Sequence, residues 1–102
     1  MNRGEVWWAE AGGKRRPVVV LTRSEVIDVR ESVTVAEVAT RIRGLAVEVP
    51  IGDDQMPLSR PSVVNCDGLH TIRISALAGR VGVLSEATMQ QICRSVAYAL
   101  GC

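Results

Sequence analysis

The sequence has very few aromatic residues: its 102 residues include two Trp, one Tyr and no Phe. Because 47% of the residues are apolar, the chain can still form a core, and that core must be aliphatic. No stretch approaches the roughly 20 apolar residues that span a bilayer, which argues against a membrane protein. No signal peptide precedes the first strand-like segment, so we expect one cytoplasmic domain over residues 1–102.

Paired cysteines and metal-ligand spacings are missing as well. The three cysteines, Cys66, Cys93 and Cys102, are odd in number and widely spaced, and none forms a Cys-x-x-Cys pair. This pattern supports neither a disulfide framework nor a zinc site. We therefore expect a reducing compartment, no metal and no cofactor.

Lysine is nearly absent, since Lys14 is the one lysine among twelve basic residues and the other eleven are arginine. The net charge of +1 argues against a uniformly basic surface, so any anion-binding face must be local. The candidates for such a face are Lys14, Arg15, Arg16, Arg23, Arg41 and Arg43.

Short apolar segments separated by turn residues predict a mainly β protein. The predicted strands cover residues 5–10, 16–22, 33–40, 46–49, 62–66, 69–77 and 80–84. We expect burial on both faces of the second strand, a bulge near Ala36 and a turn at Asp67–Gly68. A long loop or one helical turn is predicted over residues 24–32, and a loop over residues 52–61.

One helix is predicted at the C-terminal end, from the N-cap Ser85 to the cap residue Gly101. Its apolar face consists of Met89, Ile92, Cys93, Val96 and Leu100. On that face Cys93 is expected to be a small core residue. Short strands followed by one terminal helix predict a small, partly open β-barrel with the helix packed on it.

A basic turn over residues 13–17 leads directly into the second strand. Pro17 favours an extended conformation in the residue before it, which fixes Arg16 at the mouth of a buried strand. The planar guanidinium of an arginine can form bidentate hydrogen bonds to a phosphate at any physiological pH. By itself, the local sequence favours a solvated basic turn before a core strand.

Five segments occur in a distinctive order along the chain. They are Arg3–Trp7, Arg16–Leu21, Val38–Thr40, Ser62–Asn65 with Asp67, Leu69 and Thr71, and Arg80–Gly82 before the capped helix. In this order and spacing the chain resembles the MazF/PemK family of toxin endoribonucleases from bacterial toxin–antitoxin pairs. The resemblance covers nearly the whole sequence.

The resemblance implies a compact SH3-like barrel, a homodimer and metal-independent cleavage of single-stranded RNA at a short sequence. It also implies an antitoxin partner and assigns the catalytic pair to Arg16 and Thr40. The loop between the first two strands is shorter than is usual in the family and contains no acid between residues 11 and 15. The identity of the general base is therefore left open.

RNA carries its own nucleophile, because attack of the 2′-OH on the adjacent phosphorus gives a 2′,3′-cyclic phosphate and a 5′-OH without a metal. Arg16 suits stabilisation of charge on the phosphate, and the Thr40 hydroxyl can bond a phosphate oxygen or the 2′-OH. The candidate bases are Glu10, if it is buried, and His70, which alternatively is structural or binds RNA.

The remaining candidates are possible RNA contacts. Lys14 and Arg15 lie on the basic turn, and Arg41 and Arg43 alternate with Ile42, which we expect to be buried. Asp67 either contacts the substrate or caps the turn at Gly68. Trp7 and Trp8 must face opposite sides of one strand, so one of them fills the core and the other meets a partner or a groove.

Two other functions compete with the nuclease. One is a non-catalytic toxin similar to the CcdB family, which inhibits DNA gyrase through its C-terminal helix. The other is an SH3-like binding module without activity, which the aliphatic composition makes less favourable.

Overall fold

The fold is a six-stranded antiparallel sheet with a helix at its C-terminal end. The computed structural model describes residues 1–11, 13–52, 56–58 and 60–102. The strands are β1 (Glu5–Ala11), β2 (Lys14–Val20), β3 (Ser32–Ala39), β4 (Glu48–Ile51), β5 (Ser62–Arg73) and β6 (Arg80–Val83). The helices are α1 (Ser24–Ile27) and α2 (Glu86–Leu100), and a single 3₁₀ turn spans Ile74–Ala76.

The strands are arranged in the order β4-β5-β3-β2-β1-β6, and the sheet curls into a half-barrel. The predicted mainly β fold with a C-terminal helix is therefore confirmed. Two strand starts differ from the prediction by two residues. Strand β2 begins two residues earlier than predicted, and β4 begins two residues later. Of the predicted loop over 52–61, residues 53–55 and 59 lie outside the described residues, and the others form no helix or strand. No helix in the described part of the chain is long and apolar enough to cross a membrane.

The valine run that ends strand β2 is buried on both faces, as predicted. Val18, Val19 and Val20 are all completely buried. Because successive side chains of a strand point to opposite faces, Val19 packs into the core beneath α2, whereas Val18 and Val20 pack into a second cluster with Ile27 of α1. The sheet therefore has an apolar layer on each side.

Strands β3 and β5 pair around a bulge. Ala36 is opposite Leu69, but the next residue, Glu37, is opposite Asn65, so residues 66–68 have no partner on β3. The predicted irregularity near Ala36 is confirmed, and the predicted turn at Asp67–Gly68 is wrong, because β5 continues through it. The backbone N–H of Asp67 donates to Asn65 Oδ1 at 3.1 Å, so the side chain that closes this bulge is Asn65.

Helix α2 has both predicted caps. Ser85 Oγ accepts a hydrogen bond from the Thr88 N–H at 3.1 Å, and Gly101 takes the left-handed conformation with φ 77°. The buried stripe consists of Met89 and Ile92, continued by the partly buried Val96 and Ala99. The expected core position of Cys93 is wrong, because Cys93 and Leu100 fall at the edge of this stripe and are exposed.

Candidate active site

The described residues form a groove of about 500 Å³ where β2 begins and β3 ends. Strand β2 contributes residues 14–17, and β3 with the segment after it contributes residues 37–41 and 43. Trp8 of β1, Glu48 of β4 and Asn65 of β5 complete the lining.

Arg16 and Thr40 line this same groove. Antiparallel pairing explains their meeting, because it brings the start of β2 beside the end of β3. Val18 lies opposite Glu37, and extending that register by two residues sets Arg16 opposite Ala39, next to Thr40. The two side chains on which the nuclease interpretation depends therefore share one wall of one groove.

The guanidinium of Arg16 is held on one side and unsatisfied on another. Arg16 Nη1 lies 3.3 Å from Glu37 Oε2, and the two side chains are 19% and 12% exposed. Arg16 Nε is buried and has no hydrogen-bond partner among the described residues. Leaving a buried donor without a partner costs about 1–3 kcal/mol, so Nε is an energetically unfavourable point of this arrangement.

Glu37 connects Arg16 to His70. Glu37 Oε1 lies 2.9 Å from His70 Nε2 while Oε2 faces Arg16. The sheet register brings Arg16, Glu37 and His70 together. Glu37 on β3 is opposite Val18 on β2, and His70 on β5 is opposite Val35 on β3. Side chains two residues apart on one strand share a face, so the three groups lie diagonally across neighbouring strands.

Glu37 is not among the residues that the sequence motifs select. The signal that points to it is an acid within an apolar strand, since a buried carboxylate is rare unless it is paired. The structure pairs it twice, and it lines the groove beside the candidate catalytic arginine.

The other predicted cations of the turn and of the 41–43 segment also reach the groove. They are Lys14, Arg15, Arg41 and Arg43. Ile42 between the last two is exposed rather than buried, because residues 40–47 do not form a strand and strand alternation does not apply to them. Arg23 lies elsewhere, in a second groove beside α2.

Glu48 fixes the segment that carries Arg43. Its Oε2 accepts from Arg43 Nε at 3.0 Å, and its Oε1 accepts from the backbone N–H groups of Arg43 and Leu45 at 2.9 and 3.2 Å. Burial by itself raises the pKa of Glu48, but these hydrogen bonds from Arg43 and Leu45 outweigh it and bring the pKa below its ordinary value. The ionised carboxylate therefore holds one rim of the groove.

The two tryptophans face opposite sides of β1, as predicted. Trp7 is half-buried, and its Nε1–H donates to Glu5 Oε1 at 2.9 Å. Trp8 is 37% exposed and lines the groove. The guanidinium carbon of Arg15 lies 5.2 Å from the centroid of the Trp8 ring, within cation–π distance.

Besides Arg23, three candidates lie outside the groove lining. Glu10 is exposed and pairs in register with Arg15, so the burial expected for a base is absent. Asp67 is exposed on the bulge, and His70 reaches the groove through Glu37. Within the described residues, no group of three or more His, Cys, Asp or Glu side chains is arranged to hold a metal ion.

A curled antiparallel half-barrel whose groove is lined by an arginine, a threonine and further cations defines a small β protein with a local cationic groove. Comparison with known proteins gives the family. Residues 2–100 match the model of the PemK-like, MazF-like toxins of type II toxin–antitoxin systems. The chain is 42% identical over 101 residues to a Mycobacterium tuberculosis protein described as a probable endoribonuclease, MazF5, covering 98% of this chain and 93% of that protein.

Solved structures agree with the sequence relatives. The Mycobacterium tuberculosis toxin MazF-mt6 has a TM-score of 0.88 and 35% identity, with coverage of 95% of this chain and 96% of that one. A mycobacterial endoribonuclease in complex with its cognate antitoxin has a TM-score of 0.87 and 26% identity, with coverage of 99% and 95%. The chain therefore belongs to the PemK-like, MazF-like toxin family, as the five ordered segments indicate.

Proposed function

We propose that this chain is an endoribonuclease toxin that cleaves single-stranded RNA at a short sequence, with the groove around Arg16 as its active site. The observation that carries the proposal is the meeting of Arg16 and Thr40 in one cationic groove. Family membership supports it, since relatives of this length are described as endoribonucleases. No comparison favours a gyrase inhibitor of the CcdB type.

The proposed reaction uses the 2′-OH of the RNA as nucleophile. Its oxygen attacks the adjacent phosphorus and loses its proton to water, and the bond from phosphorus to the 5′-oxygen breaks. The 5′-oxygen takes up a proton from water, so the products are a 2′,3′-cyclic phosphate and a 5′-OH. Negative charge develops on the non-bridging oxygens, and donors arranged in advance to stabilise such charge commonly account for most of the rate enhancement. Arg16 meets this need, because its permanently charged guanidinium lines the groove and its side chain is 19% exposed.

Thr40 and the surrounding cations have positioning roles in this proposal. The Thr40 hydroxyl donates to a phosphate oxygen or orients the 2′-OH, while Lys14, Arg15 and Arg41 hold the RNA backbone along the groove. Catalysis then depends mainly on alignment and charge stabilisation. The mechanism assigns no role as base to Glu10, because that side chain is exposed outside the groove.

The proposed biological setting is a toxin–antitoxin pair in the cytoplasm. We propose that the chain acts as one domain over residues 1–102, forms a homodimer and is inhibited by a cognate antitoxin that covers the groove. A mycobacterial structural neighbour solved with its cognate antitoxin supports the antitoxin partner. Release from the antitoxin would then cause growth inhibition through RNA cleavage.

The test is cleavage of a long in vitro transcript in the presence of EDTA, with mapping of the new 5′ ends and analysis of the 3′ ends. We expect discrete cuts, 5′-hydroxyl ends and cyclic phosphates, and no loss of activity when metals are chelated. Random degradation, or activity that requires a divalent metal, would contradict the proposal. A DNA supercoiling assay on the same preparation tests the gyrase alternative, for which we expect no inhibition.

A further inference from the structure

We infer that Glu37 is a positioning residue for Arg16. We also infer that the β5 bulge holds the Glu37 carboxylate in place, through the space at Gly68 and the contact with His70. This inference rests on the proposed function, because its readout is RNA cleavage. Glu37 is not needed to bind RNA in this scheme. It fixes the direction in which the guanidinium of Arg16 presents its remaining donors.

The first argument is the geometry of the arginine. One terminal nitrogen, Nη1, is engaged by Glu37 Oε2 at 3.3 Å, while Nε is buried and unpartnered. A guanidinium is a planar fork, so fixing one edge also fixes where the other donors point. Glu37 thus restricts a long, rotatable side chain to one orientation at the groove without occupying all of its donors.

The second argument is that the carboxylate is itself fixed. Both oxygens of Glu37 are engaged, Oε2 by Arg16 and Oε1 by His70 Nε2 at 2.9 Å. The side chain is only 12% exposed, so water has little access to replace either partner. His70 therefore influences the orientation of Arg16 indirectly, because it fixes the orientation of the carboxylate that pairs with the guanidinium.

The third argument is the space that Gly68 leaves open. A Cβ at position 68 would lie 2.8 Å from Glu37 Cδ and closer still to Oε2, and 3.0 Å from Asn65 Nδ2. Gly68 does not have a positive φ, so backbone conformation does not require glycine here. The absence of a side chain at this position instead provides the volume that the carboxylate occupies.

The first experiment is single-turnover and steady-state cleavage of an oligonucleotide that contains one mapped cut site. Glu37→Gln keeps the volume of the side chain and removes its charge. We expect kcat to fall about 10- to 100-fold with KM changed by less than about threefold, since a small displacement of a catalytic group affects the transition state more than binding. Glu31→Gln, at an exposed acid before β3, is the matched control.

The second experiment uses a double-mutant cycle to test whether the space at Gly68 acts through the Glu37 carboxylate. Gly68→Ala should lower kcat in the unmodified protein, because the methyl group displaces the carboxylate, but should have little further effect in a Glu37→Ala background. Melting temperatures confirm that each variant is folded. If Glu37→Ala does not fold, variants of the half-buried His70 are used instead. His70→Ala should lower kcat, and His70→Gln, which can still donate to Glu37, should keep most of the kcat of the unmodified protein.

Several outcomes overturn the inference. An unchanged kcat in Glu37→Gln means that Arg16 is oriented without the carboxylate, and an increased kcat means that Glu37 competes with the phosphate. An equal effect of Gly68→Ala in both backgrounds means that it acts through the backbone. If the unmodified protein cleaves no RNA, the proposed function fails first, which is distinguishable from an active enzyme that is insensitive to Glu37.

Discussion

Arg16 Nη1 and Glu37 Oε2 lie 3.3 Å apart in a groove that Lys14, Arg15, Arg41 and Arg43 also line. The pair joins two neighbouring strands, with the arginine on β2 and the glutamate on β3. It holds one edge of a guanidinium whose side chain is still 19% exposed. The effects of mutation on RNA cleavage should therefore centre on this site.

Replacement of Arg16 should remove most RNA cleavage. We expect Arg16→Ala to lower the single-turnover rate about 10²- to 10³-fold, by analogy with removal of an oxyanion-hole donor. Arg16→Lys should restore little, because an ammonium group is a point charge without the planar fork. Arg73→Ala, at an exposed arginine outside the groove, is the control and should cleave normally.

Thr40 should act through its hydroxyl group. Thr40→Ala removes the donor and should reduce cleavage sharply, whereas Thr40→Ser keeps the donor and should retain most of the activity. The comparison is made by end-labelled cleavage of one oligonucleotide at matched protein concentration. Thr71→Ala, at an exposed threonine on β5, controls for loss of a hydroxyl elsewhere. Equal activity of Thr40→Ala and Thr40→Ser would contradict this role.

Arg41 should contribute a backbone contact that depends on salt. Removing one contact to single-stranded RNA should reduce the slope of log K against log salt concentration by about 0.7. We expect this change for Arg41→Ala, measured by fluorescence anisotropy with a non-cleavable 2′-deoxy oligonucleotide. Arg94→Ala, on α2 and outside the groove lining, should leave the slope unchanged.

Glu48 should stabilise the protein in a pH-dependent manner. Its pKa is lowered in the folded state, so its contribution is complete above the ordinary glutamate value of about 4.3 and is lost as the pH falls through the lower folded value. Melting temperatures of the unmodified protein and Glu48→Gln should therefore differ at neutral pH and converge in acid. A constant difference across this range would be evidence against the assignment.

Cys66 should be chemically inert in the folded protein. Burial, with smaller contributions from the Asp67 and Cys93 charges, raises the pKa of its thiol to about 11. The neutral thiol is therefore favoured in the folded state, and this contribution to stability is lost as the pH rises from about 9 toward 11.

Thiol labelling checks the prediction for Cys66. At neutral pH a thiol reagent should modify the exposed Cys93 and Cys102 and leave the buried Cys66 unmodified until denaturant is added. Mass spectrometry of the peptides identifies the modified positions. Labelling of Cys66 at the same rate as Cys102 in the native state would contradict the prediction.

The sequence predicts most of the architecture, because strand and helix periods are local signals. The valines of β2 indicate burial on both faces, and Ser85 and Gly101 mark the two ends of α2, all of which the structure confirms. A turn is predicted at Gly68 because glycine commonly relaxes the backbone. Its role in the structure, space for the Glu37 carboxylate, depends on a residue 31 positions earlier in the sequence.

The site is only partly predictable, because it too depends on contacts between residues that are distant in the sequence. The meeting of Arg16 and Thr40 follows from the family resemblance, whereas Glu37 requires knowledge of the register between β2, β3 and β5. Helical spacing alone predicts Cys93 in the core, but the sheet beneath α2 covers a narrower stripe than that spacing suggests. Local patterns therefore define the elements, and pairing between distant strands defines the chemistry.

The tandem tryptophans of β1 give this protein two intrinsic fluorophores in different surroundings. Trp7 is half-buried and bonded to Glu5, while Trp8 opens onto the groove beside Arg15. Nucleic acid entering the groove would quench the red-shifted emission of Trp8 and leave the emission of Trp7 largely unchanged. A Trp7→Phe protein would thus report substrate arrival optically, without any attached dye.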